Sequence, residues 1–87
     1  MRQLAYFRVM EKKRVSKFAK ALIATLQSER KALGISHEKL AEKAGISRQA
    51  IGKIEAGERN PTMQTIYKLA KAMDMTLEEF VRKMQID

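Results

Sequence analysis

An all-α fold of five short helices is what this 87-residue chain predicts. Three observations carry the prediction. Apolar residues recur every three or four positions in five successive stretches after residue 15, the period of a one-sided helix. Ser36, Ser47, Thr62 and Thr76 stand where helix-capping residues belong. Gly34, Gly45, Gly57 and Pro61 punctuate the gaps. The helices make one domain over 16–87, preceded by a basic extension over 1–15. The chain is long enough for a single small core, and 45% apolar residues suit a globular protein.

The first helix runs from about Ser16 to Leu33, with Phe18, Leu22, Leu26 and Ile23 as candidates for its inward stripe and Gly34 as its stop. Ser36 caps the second, which buries Leu40, Ala41 and Ala44. Gly45 follows where the chain needs a left-handed residue, and Ile46 turns back toward the core. Ser47 caps the third helix, whose apolar positions are Ala50, Ile51 and Ile54. Glu58 to Pro61 form a loop, and Thr62 caps a fourth helix carrying Ile66, Leu69, Ala70 and Met73. Asp74 and Met75 are a link. Thr76 and Glu79 then have capping-box spacing, opening a fifth helix to about Met84, with Leu77, Phe80, Val81 and Met84 apolar.

One segment resists assignment. Gln3 to Met10 is rich in aromatic and β-favouring residues, yet Leu4, Phe7 and Met10 also fit a helix. It is either a tail, packed on the domain or left free, or an element pairing with its copy in a dimer. Lys12, Lys13 and Arg14, with Lys17 and Lys20, are either a solvated charge run or an arm along phosphates.

The net charge is +8 and uneven: residues 1–35 hold nine Lys/Arg against two Glu, residues 36–87 nine against eight acids. Such an excess attracts polyanions by counterion release. It is informative only in company with a surface that reads bases. There is no cysteine, hence no disulfide frame and no thiolate site. No apolar run reaches membrane-span length, and no secretory signal opens the chain. The expectation is a soluble, cytoplasmic protein.

The third helix has chemistry suited to duplex DNA. Arg48, Gln49, Gly52 and Lys53 project from the side that Ile51 and Ile54 do not use. A capping box would place Glu three residues after Ser47, but Ala50 stands there, so no acid faces an approaching phosphate. The free amides and dipole of a helix start favour phosphate. Arg48 can donate twice to a guanine edge, Gln49 can pair with adenine, and Ala50 can meet a thymine methyl. Gly52, about 1 kcal/mol worse than alanine in mid-helix, permits either close approach of the groove or room for a neighbour.

In order along the chain, Arg30, Gly34, Leu40-Ala41, Gly45-Ile46-Ser47-Arg48-Gln49, Ile51, Ile54-Glu55, Gly57, Asn60-Pro61 and Leu69-Ala70 form a pattern. It closely resembles the Cro/phage-repressor helix-turn-helix, or XRE, family over about Phe18 to Phe80. The resemblance implies a five-helix repressor-like domain and sequence-specific binding of double-stranded DNA to regulate transcription, as a repressor and homodimer. It implies base contacts from Arg48, Gln49, Ala50 and Lys53. Phosphate contacts would come from Ser36, His37, Ser47, Arg59, Asn60 and Thr62. Arg30 and Glu55 match the two places of a buried structural ion pair in the family. His37 stands where the family often has a phosphate-binding glutamine; its alternative is an idle exposed histidine. Dimer-interface candidates are Tyr67, Phe80, Val81 and Met84, with Tyr67 equally readable as plain surface. The extra length of 1–15 departs from the family.

Other classes fit less well. The same fold serves antitoxins and other partner-binding proteins, so a toxin or the transcription machinery is an alternative partner. A membrane-surface role for residues 1–20 is opposed by Glu11 and an interrupted apolar pattern. Catalysis lacks parts: one histidine, no base beside a nucleophile and no phosphate-binding glycine loop. No cofactor or metal is expected.

Overall fold

The computed structural model describes residues 16–85. They form α1 (Lys17–Ala32), α2 (His37–Ala44), α3 (Arg48–Glu55), α4 (Met63–Ala72) and α5 (Leu77–Lys83), with no strand among the described residues. The questions raised by Gln3 to Met10 and by the Lys12–Arg14 run lie outside them.

Each helix starts at a hydroxyl. Ser16, Ser36, Ser47, Thr62 and Thr76 adopt extended backbone, and each side-chain oxygen accepts from the amide three residues on, at 3.0–3.1 Å. This satisfies one of the amides that a helix start leaves without an internal partner. At α5 the bond is reciprocated: the Thr76 amide donates to Glu79 Oε1 at 2.8 Å, completing the capping box.

The α2–α3 turn is set by Gly45. Its φ of 73° is left-handed, and its amide and that of Ile46 both donate to the Ala41 carbonyl, at 2.8 and 3.1 Å. Three residues, Gly45 to Ser47, therefore suffice to join α2 to α3. Asp74 occupies the comparable place after α4, with φ 61°, and is the one described non-glycine residue with positive φ.

The core forms where α2 packs on α3 and α4, α1 on α3 and α5, and α4 on α5. Leu26, Leu40, Ile51, Ile54, Leu69 and Phe80 are the largest wholly buried side chains. Removing one to alanine should cost about 2–5 kcal/mol, because a close-packed interior relaxes only partly around the cavity. Thr25 is buried among them, and its hydroxyl donates to the Ala21 carbonyl at 2.8 Å.

Three apolar positions differ from expectation. Phe18 is 48% exposed: α1 begins outside the core, and the ring lines a surface cleft with Ile23, Pro61 and Ile66. Phe80 and Met84, expected at a dimer surface, are 1% and 7% exposed. Phe80 sits on α5, which docks on α1 and α4, and Met84, the residue just past that helix, joins the same buried cluster, so the monomer's own core has taken them.

Candidate nucleic-acid interface

Helix α3 has two faces. Ile51 and Ile54 are buried, while Arg48, Gln49 and Lys53 are exposed and Ala50 and Gly52 half-buried. The eight-residue length and its period produce this division: positions 48, 49, 52 and 53 share one side, positions 51 and 54 the other. The first turn of α3 carries no acid. Burial of the two isoleucines thus holds a cationic, amide-bearing ridge outward.

A triad fixes the ridge's orientation. Arg30 on α1 donates from Nε to Glu55 Oε2 at 2.8 Å and from Nη2 to Oε1 at 3.1 Å; its Nη1 donates to the Ile35 carbonyl at 2.8 Å. His37, the first residue of α2, brings Nε2 to 3.0 Å from Glu55 Oε1. The Glu55 side chain is 6% exposed, against 12% for Arg30 and 35% for His37. Burial acts to raise the Glu55 pKa. The hydrogen bonds and charges of Arg30 and His37 outweigh it, and the carboxyl sits below its ordinary value of 4.5. Gln27 on α1 adds a bond from Nε2 to the Glu55 carbonyl at 3.2 Å. Three helices are thereby tied at the end of α3, and the acid beside the cationic ridge is neutralised within the protein.

The expected phosphate-binding residues group in two places. Ser47 and Ala50, at the start of α3, share one cleft with Arg59, Asn60 and Thr62 of the following loop. Ser36 and His37 begin α2. The hydroxyls of Ser36 and Ser47 each spend a lone pair on a cap yet keep a hydrogen to donate, so capping and phosphate contact are compatible, while that of Thr62 also shares a hydrogen bond with Thr65. His37 departs from expectation, since one of its two ring nitrogens is committed to Glu55.

Sequence reasoning missed Gln27 and Thr65. Thr65 lines the same cleft as Arg59, with its hydroxyl 3.0 Å from that of Thr62. Thr65 had a local signal, three residues after a cap; Gln27, 28 positions from Glu55, had none. Of the dimer candidates, Tyr67 and Val81 are 49% and 43% exposed. Lys71 Nζ lies 6.0 Å from the Tyr67 ring centroid. Among the described residues, no three His, Cys, Asp or Glu side chains gather where a metal could sit, and no helix is long and apolar enough to cross a membrane.

Known proteins are similar to this chain in sequence and fold. The chain is 35% identical over 63 residues to the HTH-type transcriptional regulator SutR of Escherichia coli (strain K12), covering 72% of this chain and 35% of SutR, so it spans about a third of that protein. It is 36% identical over 62 residues to the control protein C.SmaI of Serratia marcescens, covering 71% of this chain and 74% of that one. The cryptic phage CTXphi transcriptional repressor RstR of Vibrio cholerae is 32% identical over 62 residues, 71% of this chain and 55% of RstR. In three dimensions the chain is similar to the restriction-modification controller protein C.AhdI from Aeromonas hydrophila, with a TM-score of 0.69 at 34% identity, over 75% of this chain and 98% of the other. Residues 26–80 match the family model HTH_3, described as helix-turn-helix, and the chain belongs to that family.

Proposed function

We propose that the chain is a sequence-specific double-stranded-DNA-binding transcriptional regulator, acting in the cytoplasm as a homodimeric repressor. The observation that carries this is the two-faced α3, whose exposed ridge of Arg48, Gln49 and Lys53 is anchored by buried Ile51 and Ile54 and by the Glu55 triad. That ridge enters the major groove, where arginine and glutamine distinguish guanine and adenine. Arg59, Asn60, Thr62 and the α2 start grip the flanking backbone, which positions the protein without specifying sequence. The relatives named as transcriptional regulators and a repressor support the reading.

One α3 reads only a few base pairs. A two-fold dimer on half-sites about 34–36 Å apart supplies the rest, with Tyr67 and Val81 as the remaining interface candidates. Selection of bound sites from random duplexes by the purified protein tests the proposal. A palindromic consensus is expected; recovery of no preferred sequence at physiological salt refutes it. Sedimentation of the chain alone checks the dimer. Tight, specific binding without any other protein also disposes of an obligatory toxin or other partner.

A further inference from the structure

A cleft of about 240 Å³ opens between the start of α1 and the loop before α4. Leu22 and Ile66 form its buried floor, Ile23 and Pro61 its half-buried walls, and Phe18 stands at its rim, 48% exposed. An aromatic ring left half in water beside other apolar side chains forgoes the stabilisation that covering it would supply. The core does not need Phe18, since Leu22 and Leu26 of the same helix are buried without it. Ser16, the first described residue, also lines this cleft. Of the residues before it, six of the seven over 4–10 are apolar: Leu4, Ala5, Tyr6, Phe7, Val9 and Met10. The five residues 11–15 between that stretch and Ser16 span up to about 17 Å, enough for the chain to turn back on the cleft. Attachment at the cleft's own edge gives the stretch an effective concentration of about a millimolar there. Neither a second copy nor a foreign peptide has that advantage.

We infer that this cleft is the docking site of the chain's own residues 4–10, whose aromatic pair, Tyr6 and Phe7, supplies the ring that covers Phe18. The docking has a consequence for the neighbouring surface. Arg59, Asn60 and Pro61 line this cleft and also the one at the start of α3. The docked stretch therefore packs behind the loop that the functional reading sets against the DNA backbone, and braces it. The docking itself does not depend on that reading; its consequence for the loop does.

The test uses the full chain without DNA. Tyr6→Ser/Phe7→Ser removes the cover, and Phe18→Ser removes the rim that it meets. Phe18 is exposed, so its replacement leaves the buried core intact. The double variant should lower the Tm by roughly 4–8 °C. Adding Phe18→Ser to it should lower the Tm by less than the sum of the separate losses, because residues in contact do not act additively. Methyl resonances of Ile23 and Ile66, which line the cleft, should shift in Tyr6→Ser/Phe7→Ser, while those of Ile51 and Ile54 on α3 stay in place. In a mixture of isotope-labelled and unlabelled chains, nuclear Overhauser contacts from the Tyr6 and Phe7 rings to the Ile23 methyls should arise within one chain. Contacts arising between chains alone would give the cleft to a second copy and overturn the inference. An unchanged Tm with unmoved Ile23 and Ile66 resonances overturns it as well, and leaves the cleft to a foreign partner. Contacts within a chain that binds no duplex would uphold the docking and refute the functional reading.

Discussion

Arg30 and Glu55, 25 positions apart, meet in a two-pronged ion pair, Nε to Oε2 at 2.8 Å and Nη2 to Oε1 at 3.1 Å. The pair joins α1 to the last residue of α3, so the angle of the reading helix depends on it. Truncating one partner strands the other charge in a site that is nearly closed to water. Arg30→Ala should cost about 3–5 kcal/mol. At roughly 4–8 °C per kcal/mol for a domain of this size, the fall in Tm is large and simple to measure. Replacing both residues by methionine should cost far less, because no unpaired charge remains. Equal losses in the single and double variants would contradict this account.

The same carboxylate makes an acid-dependent contribution. Its folded-state pKa is depressed below 4.5 by Arg30 and His37 against the opposing effect of burial. A depressed value means that the contribution is complete above the ordinary carboxylate range and is lost as pH falls through the folded-state value. The stability gap between wild type and Glu55→Gln should thus narrow as pH falls below about 4.5. Denaturant melts across that range check it, and a gap that widens toward acid would reverse the assigned direction.

These two residues also show how far sequence went. Four of the five caps, Ser36, Ser47, Thr62 and Thr76, are readable because a cap is a local event, a hydroxyl and an amide three residues on. Helical periodicity likewise located the stripes, and Leu22, Leu40, Ile51, Ile54, Ile66 and Leu69 are buried where it put them. Periodicity does not say what a stripe packs against. Phe80 and Met84 read from sequence as dimer candidates, yet the protein's own core holds them; Phe18 reads as core and is exposed. The Arg30–Glu55 pair was available through family resemblance alone. His37 was expected to be free for phosphate, because its contact with Glu55 spans 18 positions and leaves no mark on either local pattern.

Gly52 lies inside α3, where glycine is about 1 kcal/mol worse than alanine. A Cβ built there meets nothing within 4 Å, so no neighbour in the described fold requires the glycine. Gly52→Ala should raise stability by about 1 kcal/mol, visible as a higher denaturation midpoint. Weaker operator binding by the same, more stable protein would show that the position is kept small for the groove. A lower midpoint would mean that the helix is not as described.

Asp74 adopts a φ of 61° after α4, a conformation that costs most L-residues about 1–2 kcal/mol and glycine almost nothing. Asp and Asn tolerate it better, but a methyl side chain has no compensating polar bond to offer. Asp74→Gly should therefore be more stable than Asp74→Ala by about 1 kcal/mol. Because Lys43, Lys68 and Lys71 share its cleft, the comparison is made between the two neutral variants, which lose the same charge. Matching melting curves for the pair would argue against the left-handed backbone.

Base reading and backbone grip are separable by mutation. Arg48 and Gln49 sit on the exposed ridge of α3, and Arg59 on the loop that shares a cleft with the start of that helix. Arg48→Ala or Gln49→Ala should lose about 1–3 kcal/mol on the preferred operator and blur the preference at one base pair, because a bidentate base contact carries sequence information. Arg59→Ala should weaken binding to all duplexes alike and reduce the slope of log affinity against log salt by about one, since one phosphate fewer releases its counterion. All three side chains are exposed, so none of these changes should disturb folding, and unchanged melting serves as the control. Operator binding by Arg48→Ala at wild-type strength would remove α3 from the groove. A sequence-dependent loss in Arg59→Ala would instead move base recognition to the loop.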